Sequence, residues 1–177
     1  VSDLELTAAY AAIADGGQYR KPVFYTKVTD SKGNVLIDNT ENKATQVFKA
    51  STASLLTNAM EDVLEKGTGV AARLDNMHAA GKTGTTNEAK DLVFAGFTPY
   101  YTAAIWATYD THAEFPESDR EFHKRLWAKV MNEIHEGLAD MDFETSATVQ
   151  EATICTKTGL LARSSCPSIT EYFAVSD

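Results

Sequence analysis

The 177-residue sequence has no apolar run near the roughly 20 residues that a membrane-spanning helix requires. It also lacks a basic, apolar leader, opening Val1-Ser2-Asp3 without methionine. That opening reads as part of a longer chain, with any membrane anchor outside the residues given. Basic residues are few: 16 Lys and Arg face 25 Asp and Glu, for a net charge of −9. They are scattered rather than gathered into a stripe, so no nucleic acid is expected as a partner. An anionic cell-surface polymer stays compatible, since binding there would be local. The four histidines, His78, His112, His123 and His135, have no ligand spacing, and H-E-x-x-H is absent. No metal is expected, and His135-Glu136 reads as a surface pair. Cysteine is limited to Cys155 and Cys166. Two thiols in a reducing compartment and a local disulfide in an oxidising one both fit that spacing. A bridge there would add roughly 2 to 3 kcal/mol in the chain-entropy view.

What is present is ordinary globular composition, 44% hydrophobic and 23% charged, which excludes a disordered chain. Ser2-x-x-Glu5 forms a capping-box signature ahead of Leu4, Ala8, Ala11 and Ala12, with Gly16-Gly17 as the stop. A second helix is expected from about Thr52 to Lys66, where Leu56, Ala59, Met60, Val63 and Leu64 recur at helical spacing. A third opens with Ser118-x-x-Glu121. Phe122, Leu126, Val130, Ile134 and Leu138 follow at every fourth position, and Gly137 is the stop.

Strands are expected over Val23–Thr29 and Val35–Ile37, as a hairpin around Asp30-Ser31-Lys32-Gly33-Asn34. Three more are expected over His78–Thr86, Leu92–Thr98 and Thr102–Tyr109. Short links and flanking helices make this an α+β chain, an antiparallel sheet covered by helices. Residues 1–138 form the main unit. Residues 139–177 read as an irregular tail held by the cysteines.

Two glycine-containing motifs fail on context. Gly67-Thr68-Gly69-Val70-Ala71-Ala72 matches G-x-G-x-x-A, but a helix precedes it, so it reads as a tight helix-exit turn. Gly81-Lys82-Thr83 lacks the earlier glycine of a phosphate loop, since Asn76 holds that position. No cofactor is expected.

The segment Ala79-Ala80-Gly81-Lys82-Thr83-Gly84-Thr85-Thr86 sets one lysine among small residues and threonines on a strand. Its glycines would let another backbone lie alongside. Lys82 supplies positive charge, and Thr83 and Thr85 supply hydroxyls for a carboxylate. A backbone N–H just after Gly84 suits a developing oxyanion. A bare Lys-Thr-Gly also fits a packing strand with a snorkelling lysine.

Lys82-Thr83-Gly84 resembles the third motif of penicillin-binding proteins and serine β-lactamases. The likeness is extended. Ser2 to Gly17 resembles the helix after the second motif, and Tyr19-Arg20-Lys21-Pro22 with Val28–Val35 resembles the hairpin after that. Gly67–Ala72 is similar to the turn before the K-T-G strand. Asp91–Gly96 with Thr98-Pro99, and Trp106–Asp110, resemble the two strands beyond it. Ile154–Ala162 with Cys166-Pro167 resembles the tail of bifunctional, class A members, which argues against a β-lactamase.

The resemblance implies the C-terminal part of a D,D-transpeptidase domain with an incomplete β-lactamase/transpeptidase-like fold. It implies a serine that attacks the D-Ala-D-Ala end of a peptidoglycan stem peptide, passing the acyl group to a neighbouring amine. β-Lactams would trap that serine. Lys82 would orient a second-motif hydroxyl, Thr83 and Thr85 would bind the terminal carboxylate, and Gly84 would give clearance. The Thr85 N–H would be half of the oxyanion hole.

No serine here has a lysine three residues on, and no Ser-x-Asn occurs. The nucleophile is therefore expected upstream, and this chain alone is expected to be inactive. Implied partners are stem peptides, β-lactams and the N-terminal part of the same protein, on the extracytoplasmic face of a bacterial membrane. A homo-dimer of the isolated piece is expected from apolar surface left uncovered. A non-catalytic peptide- or cell-wall-binding module is the alternative.

Overall fold

Ser2 opens the first helix, α1 (Asp3–Ala14). Its Oγ accepts the Glu5 N–H at 3.3 Å, and Glu5 Oε2 accepts the Ser2 N–H at 2.8 Å, closing the expected capping box. The computed structural model describes residues 1–175. After α1 the chain reverses through Gly16 and Gly17, both at positive φ. A Cβ on Gly17 would sit 2.2 Å from the Phe48 carbonyl oxygen, so no other residue fits. The reversal lets β1 (Gln18–Tyr19) pair with β4 (Thr45–Gln46).

Between them stands the hairpin of β2 (Lys27–Thr29) and β3 (Val35–Asp38). Asp30 sets its turn, accepting the N–H of Lys32 and of Asn34 at 2.8 and 2.9 Å. The strand expected from Val23 starts only at Lys27, because β3 ends at Asp38 directly opposite.

The main sheet is antiparallel, in the order β5 (Ala80–Thr85), β6 (Asp91–Phe97), β7 (Thr102–Thr108). The α+β architecture matches the expectation. Phe94 and Phe97, three apart on β6, lie on opposite faces. Phe94 packs with Leu64, Leu74, Trp127 and Met131, and its ring meets Trp127 edge-on at 4.9 Å. Phe97 packs with Met60, Tyr10, Ile13 and Phe143. Helix α2 (Ala50–Glu65) thus serves both clusters, through Leu64 and Met60.

Helix α3 (Phe122–Ile134) departs from expectation in two ways. No capping box forms at Ser118, which lies in a 3-10 turn over Glu117–Asp119 and bonds the Asp119 carboxylate instead. The buried face carries His123, Trp127, Ala128 and Met131. The apolar stripe of Phe122, Leu126, Val130, Ile134 and Leu138 points outward, 37 to 48% exposed. Two stripes of four-residue spacing coexist on this helix, and the less hydrophobic one faces the sheet. His135 is likewise buried rather than a surface pair: its Nδ1–H donates to Met131 C=O, and Thr98 Oγ1 lies 2.8 Å from its Nε2.

The tail is not irregular. Strands β8 (Val149–Cys155) and β9 (Ser168–Ala174) pair over their whole length. Cys155 and Cys166 are joined at the loop end of that ladder, with Cα atoms 5.6 Å apart.

Candidate active site

Among the described residues strand β5 bonds to β6 alone, so no strand lies on its outer edge there. The Thr86 N–H donates to Asp91 C=O at 3.1 Å, making 86 and 91 a hydrogen-bonded pair. Antiparallel ladders alternate, so Thr85 opposite Leu92 is a non-bonded pair. The N–H and C=O of Thr85 therefore point away from β6, toward the open edge. The same count turns the N–H and C=O of Thr83 and Gly81 outward.

The two glycines of the strand differ. A Cβ on Gly81 would meet Phe94 Cζ at 2.7 Å and the Ala95 carbonyl at 2.8 Å. Gly81 is thus a packing requirement of the β5–β6 contact, and the backbone it lets lie close is that of β6. A Cβ on Gly84 would meet only Val93 Cβ, at 3.4 Å. Space is open there.

Lys82 is exposed, and its Nζ donates to the Thr83 carbonyl at 3.0 Å, with Thr83 Oγ1 at 3.4 Å. The ammonium is folded along the edge beside the outward groups. Thr83 Oγ1 also lies 2.7 Å from Thr68 Oγ1. Thr68 was not singled out as a site residue in the sequence. Its only signal was the pair of glycines around it, Gly67 and Gly69. Thr85 is exposed at the end of the strand. Beyond it the chain turns through Glu88 and Ala89 at φ 61° and 48°, a conformation non-glycine residues seldom adopt. That turn is tied down by Thr86 Oγ1, which donates to Asp91 Oδ2 at 3.0 Å and accepts the Asp91 N–H at 2.9 Å.

The structure thus places Lys82, Thr83, Gly84 and Thr85 together on one edge. The edge offers a cation, hydroxyls and outward N–H groups, a set suited to a carboxylate beside a polarised carbonyl. It forms one wall only. The clefts of about 670 and 820 Å³ lie elsewhere, near His78 and along α3, and neither is lined by these four residues.

The strand is braced from behind. His78 N–H donates to Asp140 Oδ1 at 2.9 Å, and its ring lies 3.0 Å from Asp140 and 3.3 Å from Asp142. The bond to Asp140 pushes the imidazole above its ordinary value, aided by the charges of Asp140, Asp142 and Glu61. Burial raises the Glu61 carboxyl.

Residues 1–136 match the penicillin binding protein transpeptidase domain, and residues 146–175 match the penicillin-binding protein 1A C-terminal domain. The chain is 34% identical over 161 residues to penicillin-binding protein 1A of Clostridium perfringens, covering 91% of this chain and 19% of that one. It is 35% identical to the Clostridium tetani protein of the same name, covering 96% and 23%. The chain therefore spans about a fifth of the length of these curated relatives.

Among solved structures, penicillin-binding protein 1A of Haemophilus influenzae matches 98% of the chain and 32% of its own length, with TM-score 0.81 at 20% identity, a likeness of fold. The PonA1 protein of Mycobacterium tuberculosis, solved in complex with penicillin V, matches 78% of the chain and 39% of its own length, with TM-score 0.69 at 27% identity. A transpeptidase match over most of the residues, continued by a penicillin-binding protein 1A C-terminal match, makes this chain a member of the penicillin-binding protein transpeptidase family, and a fragment of its class A branch.

Proposed function

We propose that this chain supplies the substrate-binding edge of a serine-type D,D-transpeptidase that cross-links peptidoglycan stem peptides. The observation that carries the reading is the open β5 edge, with Lys82, Thr83 and the outward Thr85 N–H on one side of the strand. An extended peptide lies along that edge, and Thr83 and Thr85 hold its terminal carboxylate. Lys82 adds the charge that favours an anionic end, and Gly84 leaves room for the peptide. The Thr85 N–H is one donor to the oxyanion of the tetrahedral intermediate.

The attacking serine and its lysine base come from the upstream part of the same protein, since the sequence holds no Ser-x-x-Lys. β-Lactams enter the same place, in keeping with the penicillin V complex of the PonA1 relative. The working location is the extracytoplasmic face of a bacterial membrane. Residues 1–138 act as the transpeptidase part, and 139–177 as a disulfide-bearing tail.

The upstream part also has a surface to occupy. Strand β7 is the other edge of the sheet, and the apolar stripe of α3 is uncovered. In the isolated chain that surface drives self-association.

A labelled penicillin tests the reading. The complete protein should be acylated and this chain alone should not. Lys82→Ala in the complete protein should slow acylation by roughly a hundredfold or more, as expected for loss of a charge-assisted contact and its orienting role. Wild-type labelling of that variant would sink the assignment. A complete protein that never labels would favour the non-catalytic binding module.

A further inference from the structure

The turn Gly67-Thr68-Gly69 lies between α2 and β5, and its construction exceeds what a helix exit needs. Both glycines are seated on the last turn of α2. A Cβ on Gly67 would lie 2.8 Å from Val63 Cα, and one on Gly69 would lie 2.9 Å from Val63 Cγ1. The Gly69 N–H donates to Val63 C=O at 2.8 Å. From the other side, Lys124 of α3 donates its Nζ–H to the Thr68 carbonyl at 3.0 Å. Lys124 is 7% exposed, and its ammonium is paired with Glu121 at 2.5 Å. A lysine that far from water needs partners, and the Thr68 backbone is one of them. The turn is therefore pinned at three points. Thr68 itself remains exposed, with its hydroxyl 2.7 Å from that of Thr83.

We propose that Thr68 is a further carboxylate-binding residue of the β5 edge and that Lys124 is its positioning residue. This rests on the reading of β5 as the carboxylate-binding edge. Two hydroxyls carry two protons, and the bond between them uses one. Thr83 Oγ1 lies within reach of the Lys82 ammonium, which can only donate. Either hydroxyl can donate in that bond, and when Thr83 donates to Thr68 the Thr68 proton is left free to meet an anion outside. An arriving carboxylate finds a cation and the one free proton of an ordered hydroxyl pair, so little side-chain freedom is lost on binding. Lys124 acts through the backbone of Thr68 and touches no ligand.

The test uses the complete protein and a pair of probes, a penicillin and its neutral methyl ester, with acylation followed by intact mass. The quantity read is the ratio of the two second-order acylation rate constants. Thr68→Val and Thr68→Ala should lower that ratio roughly tenfold, the range for a hydrogen bond to a charged group. Thr68→Ser should restore it. Lys124→Met should lower the ratio in the same direction, and Lys124→Arg should recover part of it.

Thr83→Val is the control. If it lowers the ratio while Thr68→Val leaves it at the wild-type value, the role of Thr68 is overturned and the β5 reading stands. If Thr83→Val also has no effect, the β5 reading itself fails. Equal slowing of both probes by Thr68→Val, or loss of the fold in both Thr68 variants, would make Thr68 structural only and overturn the proposal.

Discussion

The three-stranded sheet has two edges, and they are built for different neighbours. The β5 edge is polar and finely spaced: Lys82, Thr83 and Thr85, with Gly84 leaving the approach open. The β7 edge, Thr102–Thr108, carries three alanines with Ile105 and Trp106 between its terminal threonines, and it packs against α3, whose apolar stripe is uncovered. A small extended ligand suits the first, because main-chain groups and a cation can recognise it without large apolar contact. A protein partner suits the second, because only a large apolar surface repays the burial of Phe122, Leu126, Val130 and Ile134. On the proposed reading, one sheet separates recognition from assembly by the composition of its two outer strands.

The largest effect that could break this contrast lies on the α3 stripe. In the isolated chain, Leu126→Lys, Val130→Lys and Ile134→Lys together should change stability little, since surface changes stay within about 0.5 kcal/mol each. If the isolated chain self-associates through this stripe, as proposed, they should also make it a monomer in analytical ultracentrifugation. If upstream residues cover the stripe in the complete protein, as proposed, the same triple change there should cost several kcal/mol, roughly 1.5 to 3 for each large apolar side chain denied burial. Denaturant titration of both forms reads the difference. Equal loss in the two would mean that the stripe has no partner.

The second effect contrasts the glycines of β5. Gly81→Ala drives a methyl into Phe94 and the Ala95 carbonyl, and should destabilise by about 1 to 3 kcal/mol through overpacking. Gly84→Ala has room and should change stability by less than about 1 kcal/mol, while slowing penicillin acylation of the complete protein. Thermal melts and labelling rates separate the two. A reversed order would mean that the edge opens at Gly81 instead.

What the sequence made legible was mostly local. The Ser2–Glu5 capping box is a contact three residues long, and it formed as read. The same signature at Ser118 failed. Arg120 bonds the Phe115 carbonyl and Glu114, holding the approach to α3 in a tighter turn. The α3 stripe was legible as apolar but not as outward-facing, because periodicity does not say which side has a neighbour. His123, Trp127 and Met131 share its four-residue spacing and pack inward. The tail strands alternate weakly and are largely exposed, so β8 and β9 carried little signal. At the site, Lys82 to Thr85 stood out through their resemblance to the K-T-G motif within an ordered series of likenesses; one cation among small residues alone also fits a packing strand. Thr68 did not, because its contact with Thr83 spans 15 residues and exists only once α2, α3 and β5 are packed.

The smallest effect concerns how the approach to β5 is braced, a feature with no counterpart described at β7. His78 is held by Asp140 and faces Asp142 and Glu61, and its pKa is raised above the ordinary 6.5. A raised histidine contributes stability that is fully present below the unfolded value and is lost as pH rises through the folded one. Asp140 is shifted the opposite way, below 3.8, chiefly by the backbone N–H of His78 and then by its side chain. Its contribution is present above 3.8 and is lost as pH falls through the lowered value. The brace should therefore be strongest between about pH 4 and 6.5 and weaken above that. Because the His78 side chain is 45% exposed, solvent screening keeps the change small and local. Hydrogen exchange of amides 78–80 and 140–142, corrected for intrinsic rates, should show a modest fall in protection from pH 6 to pH 8. His78→Gln should remove that pH dependence and leave protection in β6 unchanged. A slope that survives the substitution would place the titrating group elsewhere, and the β5 edge would then be braced by backbone pairing alone.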